Sequence, residues 1–207
     1  MDRRTKQNTN EAILIAARKL FSERGYNNVS MRDIAVELNI SVGNLTYHYK
    51  KKEELIEAVV EELLSDYKPQ NPGCTLEELN EFYLFSEQVV ETNLFYFTHY
   101  AQVSQNSEKI RNIQRKVFND NVTLWIKTLE NLCTEGLIEP EGYEDQFALF
   151  ANTGHFMKVY WLDRIETEKQ MGIETPSFSS CVWSMTFPLL TKKGKEIYLS
   201  NIRDKKV

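Results

Sequence analysis

The sequence lacks the features that mark a membrane protein, a disulfide-braced domain or an enzyme of a common motif class. Across 207 residues no apolar run approaches the roughly 20 residues that span a bilayer. The opening stretch, MDRRTKQNTNEAILIAARK, holds basic residues but no long apolar core and no small-residue cleavage site, so no secretory signal is expected. The three cysteines, Cys74, Cys133 and Cys181, are odd in number, far apart and without a CxxC pair. Reduced thiols in a cytoplasmic protein are the expectation. No GxSxG, phosphate loop, GxGxxG or HExxH occurs. Of the three histidines, His48, His99 and His155, the last two have no ligating residue at i, i+4. The expectations are therefore no enzyme activity, no cofactor, no metal and no membrane partner.

What is present is a globular composition, 42% hydrophobic and 12% aromatic, enough for one domain or two small ones. The net charge of −5 is unevenly spread: residues 1–52 carry +5 and residues 53–207 carry −10. A basic N-terminal quarter on an acidic body suits a DNA-reading head on a body that does not touch DNA.

Residues Ser30 to Tyr49 read SMRDIAVELNISVGNLTYHY, two short helices about a tight turn. Ser30 is placed to cap the first helix, with Asp33 three residues on completing a capping box. Ile34, Ala35 and Leu38 give that helix one apolar face. Asn39 falls at the turn, where a left-handed conformation suits Asn. Ser41 is a second cap, for a helix from Val42 to about Tyr47. This is a helix-turn-helix, whose second helix enters the DNA major groove. Val42 can touch a thymine methyl, and Asn44 can bond a base edge. Gly43 leaves room for close backbone approach, and Tyr47, His48 and Lys52 can bond phosphate. Ser30, Arg32 and Ser41, at the helix starts, complete the candidate DNA-binding set. Leu45 and Tyr49 point inward. The same twenty residues also fit an ordinary helical hairpin with a basic end.

The flanks decide between these readings. An amphipathic helix capped at Thr9 or Asn10 ends in LFSERGY, with Gly25 as its terminator and Arg3, Arg4 and Lys6 as a basic arm before it. A fourth helix starts at Lys52 in KKEELI and runs to about Tyr67. The combination LFSERGY, then VSMRDIAVELNISVGNLTYHYKKKEELI, resembles the DNA-binding head of the TetR (tetracycline-repressor-like) family of bacterial transcription regulators over about Ala12 to Val59. The chain departs from the family pattern at Asn39, Val42 and Thr46, which bears on the DNA sequence read rather than on the fold. The resemblance implies an all-α chain. A helix-turn-helix DNA-binding domain would occupy residues 1–51 and a helical ligand-binding and dimerisation domain residues 52–207.

The body reads as helical throughout, with a long helix from Leu76 to about Val103, others from Ser107 and Phe118, one from Tyr143 to about Thr167, and a last stretch from Phe178 kinked at Pro188. Its aromatic density fits either core packing or a ligand cavity. The resemblance implies a cavity, and Tyr96, His99, Tyr100, Trp125, Phe150 and Phe156 are the candidate ligand-binding residues. Small residues Ala151 and Gly154, with Phe147, Cys181, Val182 and Met185 around them, are the candidate dimer interface. The resemblance implies a homodimer through that helix pair. The expected function is a transcriptional repressor that binds a near-palindromic double-stranded DNA operator and is released by a small apolar or aromatic effector. Two alternatives stay open: a DNA-binding regulator whose body binds a protein partner, and an enzyme using the aromatic cavity.

Overall fold

The computed structural model describes residues 3–64 and 70–203. Among these it has twelve α-helices and no strand; one isolated antiparallel bridge joins Ile138 to Leu190. In chain order the helices are α1 (Arg3–Arg24), α2 (Met31–Glu37), α3 (Val42–His48), α4 (Lys52–Leu64), α5 (Leu76–Thr92), α6 (Leu94–Thr98), α7 (Tyr100–Asn106), α8 (Glu108–Thr134), α9 (Gln146–Val159), α10 (Trp161–Gln170), α11 (Phe178–Thr186) and α12 (Lys192–Ile197). The all-α fold class expected from the sequence is what the structure has. The chain forms two compact units, Met1–Tyr67 with Asn93–Arg115, and Lys68–Thr92 with Lys116–Val207.

In the first unit, α1 buries Ile13, Ala16, Ala17, Leu20 and Phe21, a stripe at helical spacing. Its backbone is helical from Arg3, so Thr9 and Asn10 lie within the helix and do not cap it. The side chains of the expected Arg3, Arg4 and Lys6 arm lie outside the described residues, as does the end of the fourth helix beyond Leu64. Gly25 ends α1 with φ 77°, its N–H donating to the Phe21 carbonyl at 3.0 Å. That left-handed backbone is open to glycine at little cost. α6 belongs to this unit: the Phe95 ring stacks on Phe21 at 6.0 Å, and Tyr96 and Phe97 are buried beside it.

The structure corrects the expected long helix from Leu76 to Val103, which is broken twice, at Asn93 (φ −118°, ψ 42°) and His99 (φ −114°, ψ 20°). Between the two breaks, the five residues of α6 bury three consecutive rings, Phe95, Tyr96 and Phe97. The opposite correction applies to α8. It runs unbroken through Phe118, where two segments were expected, with the Ser107 hydroxyl accepting from the Ile110 N–H at its start.

In the second unit, α5 packs on α11. Tyr83 and Trp183 are buried with ring centroids 5.3 Å apart. Their polar tips are satisfied, Tyr83 by the Thr186 hydroxyl at 2.9 Å and the Trp183 indole N–H by Asn80 Oδ1 at 2.9 Å. Burying rings of this size stabilises by about 1.5–3 kcal/mol each, provided the polar ends find partners. α8 and α9 run antiparallel: Trp125 lies 6.0 Å from Phe150, and Phe118 lies 4.8 Å from His155.

Candidate nucleic-acid interface and body sites

The helix-turn-helix forms from local signals. The Ser30 hydroxyl accepts from the Asp33 N–H at 3.2 Å, and Asp33 accepts from the Ser30 N–H at 2.8 Å. The Ser30 hydrogen bonds hold the Asp33 carboxyl below its ordinary range. Two orphan donors at the helix start are thus satisfied together. The turn is made by Asn39 at φ 53°, and the Ile40 N–H donates back to the Ala35 carbonyl at 2.9 Å. The Ser41 hydroxyl then caps α3 by accepting from the Asn44 N–H at 3.1 Å.

This turn fixes the rotation of α3. Leu45 is fully buried, and Ser41, Val42, Gly43, Asn44 and Tyr47 are exposed on the other side, Tyr47 at 68%. A Cβ built on Gly43 would meet only the Ser41 hydroxyl, at 3.8 Å. Among the described residues no neighbour demands glycine there. Ser30 and Arg32 are exposed on α2, and Lys50 and Lys51 beyond α3.

Two members of the candidate set are placed differently. The His48 ring Nδ1 hydrogen-bonds Asn10 of α1, and its Nε2 is buried without a partner. The Lys52 ammonium donates to the Tyr26 carbonyl at 2.9 Å and to the Val29 carbonyl at 2.8 Å, and sits 4.2 Å from the Tyr26 ring centroid. Both residues therefore hold the head together, and burial lowers the Lys52 pKa. Burial also pushes the Tyr26 phenol up to about 12.

The six ligand candidates divide between the two units. Tyr96, His99 and Tyr100 lie in the first unit, with Tyr96 and Tyr100 in edge contact at 5.3 Å. Burial raises the Tyr96 phenol well above its ordinary range. Trp125 and Phe150 pair in the second unit. Phe156 stands on the outer face of α9 at 63% exposure. A hollow of about 470 Å³ in the second unit is lined by Ile126, Glu130, Cys133, Glu141, Asp145 and Phe147, and by none of the six.

The candidate dimer residues are on the expected helices but mostly on the inner face. Phe147, Ala151, Gly154 and Val182 are buried within the chain, and Cys181 and Met185 are half-buried. Gly154 is small because the Trp125 ring lies on it: a Cβ there would fall 1.9 Å from that ring. The outer face of α9 instead presents Leu149, Thr153, Phe156 and Tyr160, at i, i+4, i+7 and i+11. The Phe156 and Tyr160 rings are 4.9 Å apart. Lys158, the single charged residue of α9, was passed over and is buried.

The family model described as bacterial regulatory proteins, tetR family, matches residues 13–59. That span is the head from α1 into α4. The transcriptional regulator QacR of Staphylococcus aureus is 29% identical over 122 residues, a match spanning 53% of this chain and 64% of QacR, less than two thirds of that relative's length. Among solved structures, a TetR-family transcriptional regulator from Marinobacter aquaeolei superposes with a TM-score of 0.77 at 22% identity, covering 95% of this chain and 98% of that one. SmeT, the repressor of the Stenotrophomonas maltophilia multidrug efflux pump SmeDEF, superposes in its triclosan complex with a TM-score of 0.63 at 18% identity, covering 91% and 94%. These structures share the fold, and the sequence match falls on the helix-turn-helix whose caps, turn and exposed α3 face were described above. Over residues 13–59 the chain thus matches the tetR family of bacterial regulatory proteins, and over the whole it shares the fold of solved TetR-family regulators.

Proposed function

We propose that the chain is a transcriptional repressor that binds a near-palindromic operator as a homodimer and leaves it when a small molecule occupies the helical body. The observation that carries this reading is the outer face of α3. Val42, Gly43, Asn44 and Tyr47 are exposed together, while buried Leu45 fixes their rotation and no packing within the chain accounts for Gly43. A rigid helix with a bare backbone patch beside an amide and a phenol fits a major groove, with Asn44 at a base edge and Tyr47 at phosphate. Ser30, Arg32, Ser41, Lys50 and Lys51 are exposed around it and supply further phosphate donors.

Two heads of a symmetric dimer would reach successive major grooves about 34–36 Å apart. The exposed stripe Leu149, Thr153, Phe156 and Tyr160 on α9 is the surface we assign to the second copy, in place of the buried Ala151 and Gly154. An effector releases the DNA only to the extent that it prefers the conformation with mismatched head spacing. The triclosan complex of the fold relative SmeT and the aromatic residues of the body support such an effector.

The test is selection of DNA from a random duplex pool, followed by affinity measurement on the selected site. Asn44→Ala is expected to relax preference at one base pair per half-site by roughly 1–3 kcal/mol. Tyr47→Ala is expected to weaken binding to all sequences alike, and affinity should fall steeply with salt through counterion release. A flat salt response, or the failure of any sequence to be enriched, refutes the reading.

A further inference from the structure

α9 carries a cation without a partner among the described residues. Lys158 is 9% exposed, its ammonium keeping only a narrow contact with water, and among the described residues no hydrogen bond or ion pair reaches it. Its neighbour one turn back is His155, whose Nδ1 is also buried without a partner. The His155 ring stands edge-on to Phe118 of α8 at 4.8 Å. On the same face of α8 follow the buried Asn121 and then Trp125, which covers Gly154. The seam between α8 and α9 thus holds an ammonium, an imidazole and a carboxamide among aromatic rings.

Holding a charge mostly out of water without a partner is unfavourable, and a counter-charge arriving from elsewhere relieves it. Burial lowers the Lys158 pKa to about 8, so at neutral pH it is still mainly charged. Burial, with the charge of Lys158 beside it, lowers the His155 pKa to about 4, so the imidazole is neutral and offers a hydrogen bond rather than a second charge. The seam therefore presents one positive charge and one neutral donor. That count matches a monoanion, not a phosphate dianion and not a cation.

We propose that Lys158 and His155 are the anion-binding end of the effector site, taking the carboxylate of a small acid whose ring or chain lies against Phe118 and Trp125. The proposal rests on the reading of the body as an effector-binding unit, and it narrows the effector from apolar compounds in general to carboxylic acids.

The full chain, Lys158→Met and Lys158→Arg are each titrated with benzoate, naphthoate and octanoate, and with the uncharged benzamide, naphthamide and octanol. Thermal midpoint and release of the selected DNA are read in parallel. The acids are expected to raise the wild-type midpoint. Their affinity should exceed that of the neutral partners by about tenfold or more, a preference lost in Lys158→Met and kept in Lys158→Arg. Without ligand, Lys158→Met should melt at or above wild type, since an unpaired buried charge has gone. The proposal is overturned if no acid shifts the wild type, if acid and neutral partner bind alike, or if ligand-free Lys158→Met melts lower. Acid binding through Lys158 without release of DNA would keep the site and remove the effector reading. Release by the neutral compounds alone would keep that reading and remove the proposal.

Discussion

Three glycines that look alike in the sequence are present for three different physical reasons. Gly25 sits at φ 77°, where any side chain strains the backbone. Gly154 lies under the Trp125 ring, where even a methyl has no room. Gly43 has helical neighbours and open space beside it. In α3 alanine would steady the helix by up to about 1 kcal/mol relative to glycine. Gly43→Ala is therefore expected to hold or raise the thermal midpoint while weakening binding to the selected DNA, because the added methyl occupies the space kept for the groove. Thermal denaturation and affinity measured on one sample separate the two effects. A variant that is stabilised and binds as well as wild type would show that α3 does not approach DNA through this patch. Gly25→Ala and Gly154→Ala should instead lose stability first. Position in the sequence foretold the role of Gly25, since it follows a helix. That of Gly154 depended on a ring 29 residues away in the sequence and could not be read.

The elements divide the same way. The helix-turn-helix was legible because its caps and its left-handed turn are set by residues within five positions of one another. The breaks between α5, α6 and α7 were not, because the run from Leu76 to Val103 holds neither proline nor glycine to mark them. Lys52 illustrates how a local reading misassigns a role. By position it follows two other lysines at the end of the DNA-reading stretch, yet its ammonium ties α4 to the turn after α1 through the Tyr26 and Val29 carbonyls. Lys52→Met keeps the aliphatic bulk and removes both bonds. It is expected to destabilise the protein by about 1–3 kcal/mol, the usual effect of stranding groups that bonded a charge. The slope of log affinity against log salt should stay as in wild type, whereas loss of a phosphate contact would reduce it by about one. Chemical denaturation and a salt series on the selected DNA read the two quantities. A reduced slope with unchanged stability would return Lys52 to the DNA-contact set.

For the whole molecule the proposed function requires one head per chain to become part of a reader of paired half-sites, and the outer face of α9 bears on it. Leu149 and Phe156 are exposed at 55% and 63%, two large apolar side chains on one helical stripe with the Tyr160 ring beside them. Isolated apolar residues on a surface need no explanation, but a stripe at i, i+4, i+7 and i+11 is the pattern by which helices pair. In a two-fold dimer the same patch meets itself, so one substitution acts twice. Burying a phenylalanine is worth about 1.5–3 kcal/mol, so Phe156→Glu removes roughly 3–6 kcal/mol from the dimer and places two like charges near each other. Within a single chain the side chain is mostly in water, so folding should be little affected. The expected outcome in sedimentation velocity is a monomer at concentrations where wild type is a dimer, with helical circular dichroism unchanged. Operator affinity should then fall toward that of a single half-site, since the second head no longer binds as part of one particle. A Phe156→Glu protein that still sediments as a dimer would move the interface elsewhere. One that is monomeric yet binds the full operator undiminished would separate dimerisation from DNA reading.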